Sequence, residues 1–205
     1  MTIVPGFVDC HNHAGGDVLL YEVLVGNPFE VEFVTITSII DKLKTLPGEE
    51  ERTMAALEVV QTQIRYLSVS LGESSHRPTD PNTVLSRRYG DCKDKSLLLA
   101  TMLRELGIKA EPVLLEAGSR RAMSRMLPSP LLFNHAIVKA VVKGEPYYLD
   151  PTRLGQAGRL KSMGQVHEGA SVLAAVAGTG ALEVIKAPEK QLANEWTETL
   201  ELALA

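Results

Sequence analysis

Apolar residues recur at intervals of three or four along several segments of the chain, a spacing typical of helices with one buried face. The predicted helices cover roughly residues 37–47, 49–66, 80–88 and 92–106. Pro81 suits the first turn of the third helix, and Gly107 is typical of the position that follows a helix. The fourth helix, which begins at Cys92, is the most apolar.

Runs of β-branched and alternating residues predict strands before and after these helices. The predicted strands cover residues 18–25, 31–36, 110–115, 135–142, 146–149, 172–176, 182–185 and 196–204. Residues 143–145 are predicted as the turn of a hairpin between the fourth and fifth of these strands. Residues 116–132 form a long loop, and loops of this length in compact domains tend to be functional or mobile.

Composition is that of an ordinary globular protein and excludes several classes of function. The 205 residues are 45% hydrophobic and 22% charged, with a net charge of −4. The densest basic stretch, Arg120, Arg121 and Arg125, is short, so we expect no nucleic-acid partner. No run approaches the ~18 consecutive apolar residues of a membrane span, and no signal-peptide pattern opens the sequence. Two cysteines are too few for a disulfide framework, so both are expected to be free thiols.

Cys92 is the residue around which candidate chemistry concentrates. It follows Gly90 and Asp91 at the start of the apolar helix, where Gly permits unusual backbone conformations and Asp can cap the helix. The helix dipole and the unpaired N–H groups of a first turn favour a thiolate and can bind an oxyanion. The alternative is a buried structural cysteine, which would need neither Gly-Asp before it nor three charged residues after it.

His135 begins a predicted strand and Asp150 ends the next, so the two residues lie on the arms of one hairpin. A turn centred near Gly144 places residue 135 opposite about residue 152, and a β-bulge would bring Asp150 beside His135. The carboxylate could then hold one imidazole nitrogen and leave the other for a thiolate. The alternative is a strand-edge histidine and an aspartate that forms a turn before Pro151.

These residues belong to a longer pattern that resembles the bacterial transglutaminase-like domains. The matching stretches are residues 64–66, 71–73, 75–78, 84–95, 103–110, 133–136 and 148–152. The resemblance covers about residues 50–155 and is most specific around Cys92. It implies an α+β, papain-like fold with helices packed on an antiparallel β-sheet. It also implies a catalytic triad of Cys92, His135 and Asp150, with the cysteine at the N-terminus of a buried helix.

The same resemblance suggests how the chain is organised and where it acts. We expect an N-terminal extension over residues 1–36, a transglutaminase-like catalytic domain over residues 37–160, and the start of a β-rich domain over residues 161–205. Members of this family often form the middle domain of larger exported bacterial proteins. An exported or periplasmic location is therefore expected.

Polar residues near the pattern receive structural interpretations. We expect His76 and Arg77 to brace the turn before the nucleophile, and Asp94 and Lys95 to form salt bridges. Tyr66 is interpreted as a core aromatic residue, although its hydroxyl could also serve an oxyanion.

Histidines outside the pattern are not expected to take part in catalysis. His167 has no companion in the sequence and is expected at the surface. Residues 5–13, PGFVDCHNH, resemble the His-x-His strand of metal-dependent amidohydrolases, in which two histidines share one face and bind one metal. The later ligands and the barrel length of that fold are missing, so only adventitious metal binding is expected at Cys10, His11 and His13.

The expected activity is cysteine-dependent acyl transfer on a peptide or carboxamide bond, without a cofactor or a catalytic metal. Cys92 would attack the carbonyl, His135 would pass the proton to the leaving amine, and Asp150 would hold the imidazole. Transfer to water would make the protein a protease or amidase, and transfer to an amine would make it a transglutaminase. The alternative is a catalytically silent module that holds a peptide or a cell-envelope partner in the same cleft.

Overall fold

The structure is a computed structural model that describes residues 35–68, 76–118, 123, 126–127, 129–154, 156 and 158–186. The helices are α1 (Ile36–Lys44), α2 (Glu49–Gln63), α3 (Pro81–Arg87) and α4 (Cys92–Glu105), with a 3-10 turn at Pro130–Leu132. The strands are β1 (Arg65–Tyr66), β2 (Tyr89–Gly90), β3 (Lys109–Leu115), β4 (His135–Val142), β5 (Glu145–Leu149), β6 (Ser171–Ala174) and β7 (Glu183–Val184). Within these ranges no helix is long and apolar enough to cross a membrane.

Five strands form one antiparallel sheet in the order β5-β4-β3-β6-β7. The β4–β5 hairpin turns through Lys143 and Gly144, whose φ angles of +51° and +84° are those of a two-residue hairpin turn. Glu145 pairs with Val142, so the turn is one residue shorter than predicted. Gly suits the second turn position because it has no Cβ to oppose a positive φ.

The C-terminal strands belong to the same sheet as the hairpin. Val172 of β6 pairs with Leu115 of β3, and β7 pairs with β6. A domain boundary at residue 160 would cut this sheet, so residues 171–184 extend the predicted catalytic domain instead of beginning a separate β-rich one. The predictions for residues 1–34 and for the last strand, 196–204, lie outside the described residues.

Helix α4 packs on one face of the sheet and is covered on its other side by α1, α2 and α3. Its leucines at 98, 99 and 103 are fully buried in the main core, with Val138 and Ala140 from β4. A smaller apolar cluster around Ile137 and Val172 covers the opposite face of the sheet. Helices packed on an antiparallel sheet confirm the predicted α+β fold class.

The predicted helix over residues 49–66 ends earlier than expected, at Gln63. Ile64 has extended backbone angles, and Arg65–Tyr66 forms β1, which pairs in parallel with β2. The Arg65 N–H donates to the Arg88 carbonyl oxygen at 2.8 Å. Pairing with a distant segment therefore takes these residues out of the helix, a competition that local periodicity does not reveal.

Candidate active site

Cys92 is the first residue of α4 and is partly exposed. Asp91 is the N-cap, and its carboxylate accepts the N–H groups of Lys93 and Asp94 at 3.1 and 3.2 Å. The Asp94 carboxylate accepts the Asp91 N–H in return, which completes a capping box. Cys92 therefore lies at the positive end of a well-capped helix.

Gly90 is required at the turn before Cys92 because there is no room for a side chain at this position. Its φ is not in the left-handed region, so the predicted reason, an unusual backbone conformation, is wrong. A Cβ added at this position would lie 2.8 Å from the Asp94 Cβ and 3.3 Å from the Val84 Cγ1. Only a residue without a side chain lets the backbone approach α4 this closely.

A network of hydrogen bonds braces the first turn of α4 from outside. The Asp94 carboxylate accepts the Thr79 N–H at 2.7 Å and binds the Arg87 guanidinium at 2.7 Å. The salt bridge predicted for Asp94 is therefore confirmed. His76 and Arg77 are both exposed, and their bracing role stays a prediction.

His135 is brought to Cys92 by the packing of α4 against β4. The Ser96 hydroxyl, on the first turns of α4, donates to the Ala136 carbonyl oxygen at 3.0 Å. Ser96 is fully buried, so this bond ties the start of β4 to the helix that carries the cysteine. In the sequence, nothing distinguishes Ser96 except its position one turn after Cys92.

His135 and Asp150 meet across the β4–β5 hairpin without a bulge. The register is regular up to the pair Val138 and Leu149, and it extrapolates to residue 152 opposite residue 135, as predicted. Asp150 is thus a diagonal neighbour of His135 on the same face of the sheet, within reach of a long side chain. The predicted bulge is unnecessary, because the His135 Nε2 already lies 3.1 Å from the Asp150 Oδ2.

Asp150 is buried and surrounded by hydrogen-bond donors. Its Oδ1 accepts the Thr152 N–H at 2.9 Å and hydroxyl at 2.6 Å, and its carbonyl oxygen accepts from the Gln61 side chain at 2.9 Å. Burial by itself would raise the pKa of Asp150, but hydrogen bonds from His135 and His167 outweigh it. The pKa of the carboxyl is therefore held far below its ordinary value, and the group is ionised.

The imidazole of His135 interacts with both Asp150 and Cys92. Burial alone would lower its pKa, but a hydrogen bond to Asp150, a hydrogen bond to the Cys92 sulfur and both negative charges raise the pKa to about 9. Since Asp150 takes Nε2, the Nδ1 nitrogen is left for the sulfur. The structure thus places the His135 imidazole against the Asp150 carboxylate, with Cys92 near enough to raise the pKa of the imidazole.

His167 was expected at the surface, and that prediction is wrong. The side chain is buried, and its Nε2 lies 2.8 Å from the Asp150 Oδ2, the same oxygen that contacts His135. The two imidazole centroids are 5.4 Å apart. His167 lies 17 residues after Asp150 in a segment without a recognisable motif, so only the course of the chain between β5 and β6 brings it here.

Lys95 is also buried, although a salt bridge was predicted for it. Its ammonium donates to the Ile64 carbonyl oxygen at 2.5 Å, and within the described ranges no carboxylate forms an ion pair with it. Burial lowers the pKa of Lys95 to about 8, an effect that the charge of Asp150 partly opposes. Lys95 therefore links the segment before β1 to the helix of Cys92.

Tyr66 is 46% exposed, so its interpretation as a core residue is wrong. Burial of part of the ring raises the pKa of its hydroxyl, and the charges of Cys92, Asp91 and Asp150 raise it further. The hydroxyl therefore lies within electrostatic reach of Cys92 and keeps its proton, which leaves it able to donate a hydrogen bond.

Donor atoms of His135, Asp150 and His167 lie within 4.8 Å of one another, a spacing that could accept a divalent cation. Both Nε2 atoms, however, face the Asp150 Oδ2 at hydrogen-bond distance, and the Asp150 Oδ1 is occupied by Thr152. We interpret this set as a hydrogen-bonded cluster. The candidate metal-binding segment at residues 10–13 lies outside the described residues.

Comparison with known families identifies the fold. A sequence profile of the transglutaminase-like superfamily matches residues 38–150, more than half of the chain, and spans Cys92, His135 and Asp150. The chain belongs to the transglutaminase-like superfamily. The predicted family is therefore confirmed, and the match runs from α1 to the end of the β4–β5 hairpin.

The chain is similar to two solved structures, of which the first shares its fold. A candidate protease from Parabacteroides distasonis ATCC 8503 is 20% identical over 74% of this chain and 27% of its own, with a TM-score of 0.54. A candidate cysteine protease from Cytophaga hutchinsonii is 23% identical over 59% of this chain and 41% of its own, with a TM-score of 0.40. The chain spans less than half the length of either protein. No curated protein sequence matches the chain significantly.

Proposed function

We propose that this transglutaminase-like domain catalyses cysteine-dependent acyl transfer on a peptide or carboxamide bond, with Cys92, His135 and Asp150 as nucleophile, base and orienting group. One observation carries the proposal. A single imidazole, His135, is held 3.1 Å from the buried Asp150 carboxylate, and its pKa is raised both by Asp150 and by Cys92 at the N-terminus of α4. This arrangement supports the assignment of Cys92 as nucleophile and of His135 as the group that carries the proton.

In the first half of the reaction, the Cys92 thiolate attacks the carbonyl carbon and forms a tetrahedral intermediate. The helix cap uses the N–H groups of Lys93 and Asp94 and leaves that of Cys92 to bind the oxyanion. The Tyr66 hydroxyl is a candidate for the second donor, since Tyr66 pairs with Gly90, two residues before Cys92, and its raised pKa keeps the hydroxyl protonated. Imidazolium His135 gives its proton to the leaving nitrogen as the C–N bond breaks, and a thioester remains on Cys92.

In the second half, neutral His135 takes a proton from the incoming water or amine, which attacks the thioester carbonyl. The tetrahedral intermediate collapses, the C–S bond breaks, and the thiolate–imidazolium pair is restored. Water gives a carboxylic acid, and an amine gives a new amide. We favour hydrolysis of a peptide or protein substrate, which is in keeping with the protease description of the Parabacteroides distasonis structure.

The first test is the rate of iodoacetamide alkylation as a function of pH, read separately at Cys92 and Cys10 by peptide mass spectrometry. We expect Cys92 to react faster than Cys10 below about pH 8, because a thiolate–imidazolium pair forms there. His135→Ala should remove this advantage, and Asp150→Asn should reduce it. Cys10 serves as the internal reference in every sample.

Equal rates at the two cysteines, or an unchanged Cys92 profile in His135→Ala, would contradict the proposal and favour the silent binding module. The chemical step is tested by incubation with peptides that contain glutamine. A thioester mass increment on Cys92, with release of ammonia or of a new amino terminus, is expected in the wild type and absent in Cys92→Ala. Added primary amine then separates transamidation from hydrolysis by the product formed.

A further inference from the structure

Two imidazoles share one carboxylate oxygen in this site. The Asp150 Oδ2 lies 3.1 Å from the His135 Nε2 and 2.8 Å from the His167 Nε2. Both bonds place a nitrogen against an ionised acceptor, so both Nε2 atoms must carry their hydrogens. The catalytic roles proposed above use only one of these imidazoles.

His167 is held in place by its own turn and not merely by Asp150. The His167 N–H donates to the Gln165 side-chain oxygen at 3.0 Å, and the Gln165 amide in turn donates to the Tyr148 carbonyl oxygen on β5 at 3.0 Å. The turn is also tied to the sheet edge, because the Gly169 N–H donates to the Ile185 carbonyl oxygen at 2.8 Å. The turn that carries His167 is therefore anchored both to β5 and to the edge of the sheet.

The other nitrogen of His167 shows which tautomer is present. Its Nδ1 is buried, and within the described ranges it has no hydrogen-bond partner. A hydrogen on Nδ1 would be buried without an acceptor, an arrangement that proteins avoid. The geometry therefore fits a neutral imidazole with its single hydrogen on Nε2, directed at Asp150.

The charges around His135, Asp150 and His167 also favour a neutral His167 and a charged His135. The charged or titratable groups that face the cluster are Tyr66, Cys92, Lys95, His135, Asp150 and, at 4.0 Å from Asp150, Arg153. Asp150 has one negative charge to offer two imidazoles, and of the two it is His135 whose pKa Cys92 also raises. The positive charge formed during the reaction therefore belongs on His135.

We infer that His167 is a positioning residue of the active site: as a neutral donor, it holds the Asp150 carboxylate in the orientation that binds His135. The inference rests on the proposed function, because it assigns His167 a task within the same triad. His167 fills one lone pair of Oδ2 and fixes the carboxylate rotamer, while Thr152 holds Oδ1. The carboxylate cannot then rotate away when the proton moves between His135 and the substrate.

The tautomer of His167 can be measured whether or not Cys92 is a nucleophile. In the full-length chain labelled with ¹⁵N-histidine, long-range ¹H–¹⁵N spectra near neutral pH should show His167 with a hydrogen on Nε2 and a bare Nδ1. A His167 ring with a hydrogen on Nδ1 would overturn the inference. The proposed function would be untouched by that result, so the two failures are distinguishable.

The positioning role is tested with His167→Gln and His167→Leu, using the pH profile of Cys92 alkylation. The Gln amide can place a donor near the position of Nε2 but cannot act as a base, whereas Leu fills the space without donating. We expect Gln to keep the rate within about threefold of wild type. Leu should lower it about tenfold or more near neutral pH, as expected when a charged group loses a hydrogen bond.

Each other outcome has a definite meaning. Wild-type behaviour of His167→Leu would show that the residue only fills space and would overturn the inference. A Gln variant as impaired as the Leu variant, with both folded by circular dichroism, would show that the imidazole itself is required and would equally overturn it. If both variants unfold, the tautomer spectrum of the wild-type chain decides alone.

Discussion

Replacement of Gly90 by alanine tests how closely the turn before the nucleophile must approach α4. The new methyl group would lie 2.8 Å from the Asp94 Cβ, 3.2 Å from the Asp94 Oδ2 and 3.3 Å from the Val84 Cγ1. The nearest atom is attached directly to the backbone of α4, so it cannot swing aside as the end of a long side chain could. Either the turn or the first turn of the helix must move.

The change in unfolding free energy has two destabilising contributions, overpacking and weakened hydrogen bonds, and one stabilising contribution from the unfolded chain. Overpacking of a tight site costs about 1–3 kcal/mol, and displacement of Asp94 weakens its bonds to Thr79 and Arg87, each worth about 1.5–3 kcal/mol if fully lost. The reduced freedom of the unfolded chain returns about 0.4–1 kcal/mol. We therefore expect Gly90→Ala to lower the free energy of unfolding by about 2–4 kcal/mol.

Urea unfolding followed by circular dichroism measures this difference, and Cys92 alkylation in the folded state reports any shift of the nucleophile. Gly164→Ala is the matched control, because nothing lies within 4 Å of its added methyl group and its φ is not left-handed. The control should be neutral or stabilised by at most about 1 kcal/mol. If Gly90→Ala is as stable as Gly164→Ala, the steric argument is wrong.

The remaining predictions concern charge and hydrogen bonding. The pKa of His135 is raised from 6.5 to about 9, so its contribution to stability is complete below pH 6.5 and is lost as the pH rises through about 9. The difference in unfolding free energy between wild type and His135→Gln should therefore shrink between these two pH values. The pKa of Lys95 is lowered from 10.5 to about 8, so stability should rise between about pH 8 and 10.5, and Lys95→Met should lack that rise in urea titrations. Arg87→Met should lower the free energy of unfolding by about 1.5–3 kcal/mol, whereas Lys44→Met, which removes an exposed pair at 4.0 Å, should change it by less than about 1 kcal/mol. Tyr66→Phe should slow amide turnover tenfold or more without changing the rate of Cys92 alkylation, which passes through no oxyanion; equal effects on both rates would exclude the oxyanion role.

Much of this site was predictable because its signals are local. A capped apolar helix after Gly90-Asp91 places Cys92 at a helix N-terminus whatever the rest of the chain does. A hairpin of known register brings His135 and Asp150 to one face, since the distance between the arms of a hairpin is set by the turn. The family pattern connects the two elements.

Other predictions failed where long-range packing decides. The sequence marks Gly90 as special, but only the position of Asp94 in space shows that the reason is contact and not backbone angle. Residues 65–66 continue a helical pattern and nevertheless pair as β1 with β2. This pairing could not be predicted from local periodicity, because the partner strand lies more than twenty residues away along the chain.

The fold family, the helix that begins at Cys92 and the hairpin that joins His135 to Asp150 are predictable from the sequence, because each depends on neighbours close along the chain. The surroundings of Asp150 depend on long-range packing and are visible only in the folded chain. His167 reaches the carboxylate through a turn tied to β5 and to the sheet edge, and no periodicity encodes that path. The hydrogen-bond partners of a buried charge are the groups that the folded chain places within about 3 Å, and local sequence does not specify which groups these are.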